Sequence, residues 1–542
     1  MEITISEESD IKQIMDLFIK VYGKNYPFKK FYDTKWLTKS VYSDDNIFMV
    51  AKEKGKIIGT GSVFLTAGGF SDLIGEFGRL VVDPDYSGMG AGTEIQKGLM
   101  DSVSEMIQFG FAECRSVHSG AQKICERCGF FPTGFEPNKY QLAPARESVV
   151  FVTRLFGPAL SLRRNNPHVI ASIYPVAAKS MQNLNLPVDQ IVEDEVEGYP
   201  MERSFEIDEL QSASGVSPLL RIERGRVKNP EVFGNLSLSY GFFKIATDQA
   251  QYLVAKEKGV TLGAIGFTVD NIDKKVKLLE LIEFDDEVKG FLLATLVRLA
   301  TEKYHAEYIE VDVSAYSPRM QMTLDRLGFV PVAYCPSMVF RGVERLDVIR
   351  MAKLNFSPDV KNLKLTSMAE DMFKLTMKDL EIKKIGMEIT EVTRQSDIFK
   401  GLSDGELSQL AQICKMVSYP AGTKICAEGE CGTEIYVLAE GKASVMVKGD
   451  GKKSIKIGII GQGEIFGEMS IVEEKPRMAD LITDVDSKLV AIDRFEFENL
   501  MNRNNHLGKM VMKNVAKGLS RKLRRIDEPK KGTLQVTRKF KD

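Results

Sequence analysis

Apolar and polar positions alternate with different periods along this 542-residue chain, and the changes of period mark its elements. The opening ITISEESDIKQIMDLFIKVYG reads as a short strand and then an amphipathic helix, and FMVAKEKGKIIGTGSVFL reads as a hairpin. Leu80, Val81 and Val82 end an apolar strand that enters a Pro turn, a loop with Gly88, Gly90 and Gly92, and a helix opened by Thr93. Further on, YLVAKEKGVTLGAIGFTV predicts a second hairpin, KVKLLELIEF a strand, GFLLATLVRLATEKY a helix and AEYIEVDVS a strand, with helix and strand again after it. From GTKICAEGE to GIIGQGE, short apolar strands alternate with Gly turns. DRFEFENLM and LGKMVMKNVAKGLSRKLRRI then close the pattern as helices.

Two strings return. VAKEKG at Val50–Gly55 recurs at Val254–Gly259, and RCGFFP at Arg127–Pro132 is echoed by RLGFVP at Arg326–Pro331. Both come back after about 200 residues, the signature of a duplicated domain. The copies differ at the glycine loop: SGMGAG at Ser87–Gly92 stands against DDEVKG at Asp285–Gly290.

That loop carries the first candidate chemistry. Alternate glycines let backbone approach a ligand, and successive N–H groups at a helix N-terminus make an anion nest, here sized for a pyrophosphate. It has neither the GxGxxG spacing of a dinucleotide fold nor the Lys of a P-loop. The acidic DDEVKG repels phosphate, so the second copy is expected not to bind the same ligand.

Together with the downstream string HSGAQKICERCGFFPTGF, residues 1–150 resemble the GNAT acetyltransferases. The resemblance implies acetyl-CoA bound by Leu80, Val81, Val82, Ser87, Gly88, Met89, Gly90, Ala91, Gly92, Thr93 and His118. It also implies direct attack by an amine, with Glu76, eleven positions before Ser87, as general base. A lysine amine of pKa about 10.4 is neutral in about one molecule in 2,500 at pH 7, a cost of about 4.6 kcal/mol, which is why a base helps. Glu76 also fits an exposed polar position of an alternating strand, and His118 is an alternative base or a helix cap. Two positions depart from the family: Ser87 stands where Gln or Arg is usual, and Cys125 where a Tyr often protonates the leaving thiolate.

The string GEIFGEMSIVEEKPRMADLI at Gly463–Ile482 holds a carboxylate and a guanidinium around a turn of small residues. A cyclic phosphate calls for Arg and N–H donors, and a ribose hydroxyl for an acceptor such as Glu468. The string resembles the phosphate-binding cassette of cyclic nucleotide-binding domains. The resemblance implies a site of Phe466, Gly467, Glu468, Met469, Ser470, Arg477, Met478 and Ala479. Met478 lacks the hydroxyl associated with guanine, which favours cyclic AMP. Pairing of Glu468 with Arg477 across the turn is the structural alternative.

The net charge of −2 argues against a broad nucleic-acid field, and the basic run from Arg521 and Lys522 to Arg538 and Lys539 is read as a solvated tail. The stretch after the nucleotide module is too short for a winged helix, so no DNA-binding regulator is expected. No run of about 18 apolar residues occurs, and the acidic N-terminus is unlike a signal peptide, so a cytoplasmic protein with no membrane contact is expected. Seven irregularly spaced cysteines suggest reduced thiols. Cys114, His118, Cys125 and Cys128 are read as core packing, not a zinc set, and no metal is expected.

The expected fold is a tandem of GNAT-like α/β (α+β) domains with mixed sheets flanked by helices, plus a C-terminal jelly-roll-like β-roll with closing helices. The divisions are 1–150 for the transferase, 151–205 for connecting elements, 206–375 for a degenerate copy, 376–395 for a connecting helix, 396–528 for the nucleotide module and 529–542 for a basic tail. The combination resembles bacterial lysine acetyltransferases governed by cyclic AMP. The acceptor is expected to be a protein lysine, with a small amine as the alternative. A non-catalytic sensing scaffold is the rival outside the enzyme class.

Overall fold

The computed structural model describes residues 1–23, 26, 29–65, 69–142, 145–193, 195–210, 216–225, 229–235, 238, 250–448, 454–469 and 475–527. They fall into two units, Met1–Leu380 and Glu381–Asp542. The basic tail expected over 529–542 lies outside the described residues.

The first unit opens with β1 (Glu2–Ile5) and α1 (Ile11–Tyr22), which buries Ile11, Ile14, Leu17 and Phe18 along one stripe. α2 (Thr34–Val41) starts at Asp33, whose carboxylate accepts from the amides of Lys35 and Trp36. β2 (Asn46–Glu53) and β3 (Lys56–Phe64) pair antiparallel around Lys54 and Gly55, at φ 51° and 78°, a primed turn that matches strand twist. Then come β4 (Ile74–Val82), α3 (Ala91–Val103), β5 (Phe109–Arg115), α4 (Gly120–Arg127), β6 (Phe131–Leu142) and β7 (Ala145–Leu155), in the sheet order β1-β2-β3-β4-β5-β7-β6.

The connecting stretch holds β8 (His168–Ile170), α5 (Tyr174–Asn183) and β9 (Ile191–Glu193). It is packed: Ile173, Val176, Ala177 and Met181 are buried, and Ser180 and Asn183 donate to the carbonyls of Thr133 and Pro132.

The second copy comprises β10 (Glu206–Glu209), α6 (Val216–Gly225), β11 (Val232–Phe233), β12 (Gln251–Glu257), β13 (Val260–Asp270), β14 (Lys275–Glu283), α7 (Glu287–Glu302), β15 (Tyr308–Ser314), α8 (Pro318–Arg326), β16 (Val330–Arg341) and β17 (Glu344–Leu354). Its strand order β10-β12-β13-β14-β15-β17-β16 repeats that of the first copy. Its repeated hexapeptide makes the same turn, with Lys258 and Gly259 at φ 51° and 78°. β6 meets β16 with Gly134 opposite Ala333, so the copies share one sheet, of 15 strands among the described residues.

The join between the copies is part apolar and part ionic. Phe109, Phe111 and Phe151 pack with Ala333, Cys335 and Val348. Beside them Lys139 pairs with Glu113, Glu136 and Glu310 at 2.8, 2.9 and 3.0 Å. Arg350 pairs with Asp312 at 2.7 Å and with Glu136 at 3.3 Å, and Lys277 reaches Glu310 at 2.8 Å. Apart from Lys277 and Glu113, these side chains are nearly sealed from solvent.

One helix, α9 (Ser367–Gln395), carries the chain out of the first unit, with Phe373 packed on Phe135 at 5.1 Å between ring centroids. Among its described residues the second unit has two four-stranded sheets. One contains β18 (Cys414–Tyr419), β20 (Glu434–Glu440), β23 (Ile465–Phe466) and β25 (Ser487–Asp493). The other contains β19 (Lys424–Cys426), β21 (Ala443–Lys448), β22 (Ser454–Ile460) and β24 (Asp480–Thr483). α10 (Asp404–Gln412) begins with a Ser403–Glu406 capping box, and α11 (Arg494–Arg503) and α12 (Asn505–Asp527) close the β-roll.

Replacing Lys139 with Met strands several buried carboxylates and is expected to destabilise the first unit by about 3–5 kcal/mol in urea melts. Burial alone would raise the Glu113 carboxyl, but Lys139 and then Arg350 outweigh it and hold it down at about 2. Its stabilisation is therefore full above the unfolded value of about 4.3 and is lost as pH falls from there toward 2. Acid melts of wild type should show that loss, and melts of equal stability for the variant and wild type would contradict the role of Lys139.

Candidate functional site

β4 and β5 run parallel, paired from Ile74 opposite Phe109 to Phe77 opposite Ala112, and no further. A bulge sends β4 away: its pairing with β3 shifts between Thr60 and Ser62, and Arg79 takes φ 53°. Past Phe77 the edge of β4 that faces β5 has no strand partner among the described residues, which leaves its peptide groups available to a ligand. The gap opens a cavity of about 160 Å³. Its walls include Glu76, Leu80, Glu113, Cys114, His118 and Cys125, with Tyr22 and Tyr26 from the α1 side.

Glu76 stands on β4 with its carboxylate 2.6 Å from the Arg79 guanidinium, which lies over the Phe64 ring at 3.8 Å. Of the residues expected to hold the cofactor, Leu80 and His118 line this cavity. Val81 turns its side chain into the α1 core, and Val82 lies beside Gly59 and Gly92. Ser87, Gly88, Met89 and Gly90 form the exposed loop beyond β4, and Ala91, Gly92 and Thr93 are the first turn of α3. Gly88 and Gly90 take φ 85° and 84°, which glycine alone adopts freely. Among the described residues the amides of Gly88, Gly90, Ala91 and Gly92 donate to no backbone carbonyl, as an anion nest requires. The donor set fits a pyrophosphate.

The α4 cap position falls on Ser119, and His118 precedes it at the rim of the cavity. Burial, and next the Arg115 charge, push the His118 imidazole down, so it stays neutral at pH 7. Cys125 sits 3.6 Å from Cys114, sulfur to sulfur. That hydrogen bond, with burial, pushes the Cys125 thiol well up, making it a poor proton donor. Cys114, Cys125 and Cys128 belong to the buried core with Phe130.

The same place in the second copy is filled by the chain itself. β14 and β15 pair only over Lys275–Lys277 on β14, and β11 inserts beyond, with Val232 opposite Val313 and Phe233 opposite Asp312. At the start of α7 a Cβ on Gly290 would collide with the Pro200 carbonyl. Lys289 is held by Glu231 at 2.9 Å and Asp286 at 3.0 Å where the nest would lie. Among the described residues, backbone as well as acidic side chains thus occupies the place that the cleft and the glycine loop hold in the first copy.

In the second unit Arg477 is 8% exposed and precedes β24. Its backbone is fixed by bonds to Glu430 and Gly429, and Nη2 donates to the Glu434 carbonyl. Among the described residues Nε and Nη1 are buried without a partner, which is costly unless an anion fills the site. A Cβ on Gly432 or Gly467 would strike the guanidinium. Phe466 lies 5.7 Å from it. Gly467, Glu468 and Met469 form the turn after β23, Met478 is exposed and Ala479 buried. Ser470 lies outside the described residues.

Sequence reasoning passed over Arg79, Glu113, Arg115, Tyr140 and Glu147 in the cleft, and Gly432 beside Arg477. The signal for Glu113 and Arg115 was charge at alternate positions of the apolar strand FGFAECR.

Residues 11–130 match the family model for the acetyltransferase (GNAT) family, and residues 416–504 match that for the cyclic nucleotide-binding domain. The cyclic AMP receptor protein of Thermus thermophilus is 31% identical over 132 residues, which are 24% of this chain and 59% of that protein. The CRP-like cAMP-activated global transcriptional regulator of Mycobacterium tuberculosis is 26% identical over 132 residues, 24% of this chain and 58% of its own. The chain thus spans less than two thirds of these relatives. Among solved structures, the Thermus thermophilus catabolite activator protein is 31% identical, covering 24% of this chain and 60% of its own, with a TM-score of 0.23. A cyclic nucleotide-binding domain from Methylobacillus flagellatus is 23% identical, covering 26% and 80%, with a TM-score of 0.24. The chain carries a GNAT acetyltransferase domain and a cyclic nucleotide-binding domain. No helix among the described residues is long and apolar enough to cross a membrane.

Arg477→Ala removes the guanidinium and Gly432→Ala displaces it. Each is expected to weaken binding of a fluorescent cyclic AMP at least about tenfold in titrations, with far-ultraviolet circular dichroism unchanged. Undiminished affinity in both would take Arg477 out of the site.

Proposed function

We propose that this chain is an N-acetyltransferase controlled by a cyclic nucleotide, acting through the cleft between β4 and β5. Acetyl-CoA, when bound, supplies the acyl group as an activated thioester. The amides of Gly88, Gly90, Ala91 and Gly92 would hold its pyrophosphate, and the unpaired edge of β4 around Leu80 to Val82 would bind its amide-rich arm and turn N–H donors toward the thioester carbonyl. Glu76 would take the proton from the attacking amine once its pair with Arg79 opens. With Cys125 in a high-pKa pair, the leaving thiolate relies on its own reference pKa of about 8.5.

The observation that carries this reading is the cleft itself, with a carboxylate and a bulged strand edge on β4, followed along the chain by the glycine loop. The acceptor class rests on less: a protein lysine is favoured, with a small amine as the alternative. For the regulator, the N–H groups of Arg477 that have no partner among the described residues support a phosphate, and cyclic AMP is favoured because Met478 offers no hydroxyl and two relatives are named for cyclic AMP.

Glu76→Gln is expected to lower kcat by about 10²- to 10⁴-fold while calorimetry finds coenzyme A binding within about twofold of wild type. Equal turnover in the variant would remove Glu76 from the mechanism. Coenzyme A binding with no turnover in wild type would favour a sensing scaffold.

A further inference from the structure

Among the described residues three carboxylates line the cleft, and they are held differently. Glu76 pairs with Arg79 at 2.6 Å, and Glu147 faces Arg115 through two bonds of 2.6 and 2.7 Å. Glu113 is anchored from behind. Lys139 donates to its Oε1 at 2.8 Å, Arg350 of the second copy approaches the same oxygen at 3.5 Å, and the Tyr140 hydroxyl donates to Oε2. Its side chain keeps 16% exposure while Lys139 and Arg350 keep 3% and 4%, so the anion meets the cavity and its counter-ions do not.

The chemistry of Glu113 comes from that anchoring. Lys139 and Arg350 overcome burial and keep its carboxyl at about 2, so it cannot serve as a base near neutral pH. Glu113 opens into a cavity also lined by Tyr22, Tyr26 and Tyr140, whose rings favour a cation, and there Arg79 and Arg115 are already paired with Glu76 and Glu147. The parallel register sets Glu76 beside Phe111, which places Glu113 two residues further along β5, just past the point where the strands part.

We propose that Glu113 binds the acceptor amine as its ammonium ion, and that the second copy serves the transferase site by fixing Glu113 through Arg350. The inference rests on reading the cleft as an acyltransferase site. The two carboxylates then divide the work: Glu113 attracts the charged amine and stays ionised, and Glu76 removes the proton that makes it a nucleophile. The acceptor class is accordingly a primary alkyl amine that arrives protonated, which a lysine side chain is.

The decisive variant should fold. The junction holds the carboxylates of Glu113, Glu136, Glu310 and Asp312 against the cations Lys139, Lys277 and Arg350. Glu113→Gln leaves as many carboxylates as cations, with Glu136, Glu310 and Asp312 against Lys139, Lys277 and Arg350.

The test is acetyl transfer by the full chain with cyclic AMP present, using Nα-acetyl-lysine methylamide, an ammonium at pH 7, and para-anisidine, an amine neutral at pH 7. In Glu113→Gln the ratio of KM for the lysine probe to KM for para-anisidine should rise about tenfold or more, with Glu113→Asp recovering part of it. Arg350→Lys should move the ratio the same way by a smaller factor. Calorimetric titration of the lysine probe into protein saturated with coenzyme A should show the same weakening in Glu113→Gln without chemistry. An unchanged ratio and unchanged calorimetric affinity would overturn the role of Glu113, and an unchanged ratio in Arg350→Lys alone would remove the second copy from it. A wild-type chain that acetylates neither probe yet binds the lysine probe through Glu113 would refute the transferase reading and leave the cation site standing.

Discussion

The buried ion cluster between the two copies is the constraint on which the first unit depends. Charges taken out of water cost several kcal/mol each unless paired in good geometry. Here neither copy holds a complete set. Lys139 of the first copy meets Glu310 of the second, and Arg350 of the second meets Glu136 of the first. Separating the copies would leave unpaired charge on both faces, so the join at β6 and β16 specifies one arrangement more sharply than the apolar packing of Phe109, Phe111 and Phe151 alone would.

That dependence gives the duplication a physical meaning. The second copy keeps the strand order and hairpin turn of the first, but β11 fills the gap that in the first copy is a cleft. A site filled by its own chain needs no ligand to be stable. This copy supplies a wall instead: Arg350, Glu310 and Asp312 back the strand that carries Glu113 into the open cleft. One copy retains a gap at its split strands and the other braces it.

Much of this was legible in the sequence. The strand ending at Val82, the Gly88–Gly92 loop and the helix after it are local, set by period and by turn residues, and the return of VAKEKG marked a turn that both copies need. Arg477 and the small residues of its turn could be read as a candidate anion site because they lie within one short string, whereas the Glu430 and Glu434 carbonyls that hold Arg477 come from far earlier in the chain and could not be read. The bulge at Arg79 was not legible, because nothing in GEFGRLVV distinguishes a bulged strand from a regular one. Nor was the ion cluster: Glu113 reads as a polar residue on a half-exposed strand until Arg350, far along the chain, is brought against it. The filling of the second copy by Val232–Phe233 and by Tyr199–Pro200 was hidden for the same reason, since the acidic DDEVKG alone predicted repulsion and not occupation.

The central claim is that a nucleotide site and an acyltransferase site in one chain share a free energy. A coupling of about 1–3 kcal/mol changes activity about 5- to 150-fold, and it requires only that the nucleotide bind two states of the chain unequally. The most direct measurement is the rate of acetyl-CoA consumption by the full chain over an amine panel, with and without saturating cyclic AMP. A rate that changes several-fold with nucleotide is the result expected. Nucleotide binding confirmed by titration, with the same rate in both conditions, would contradict the account.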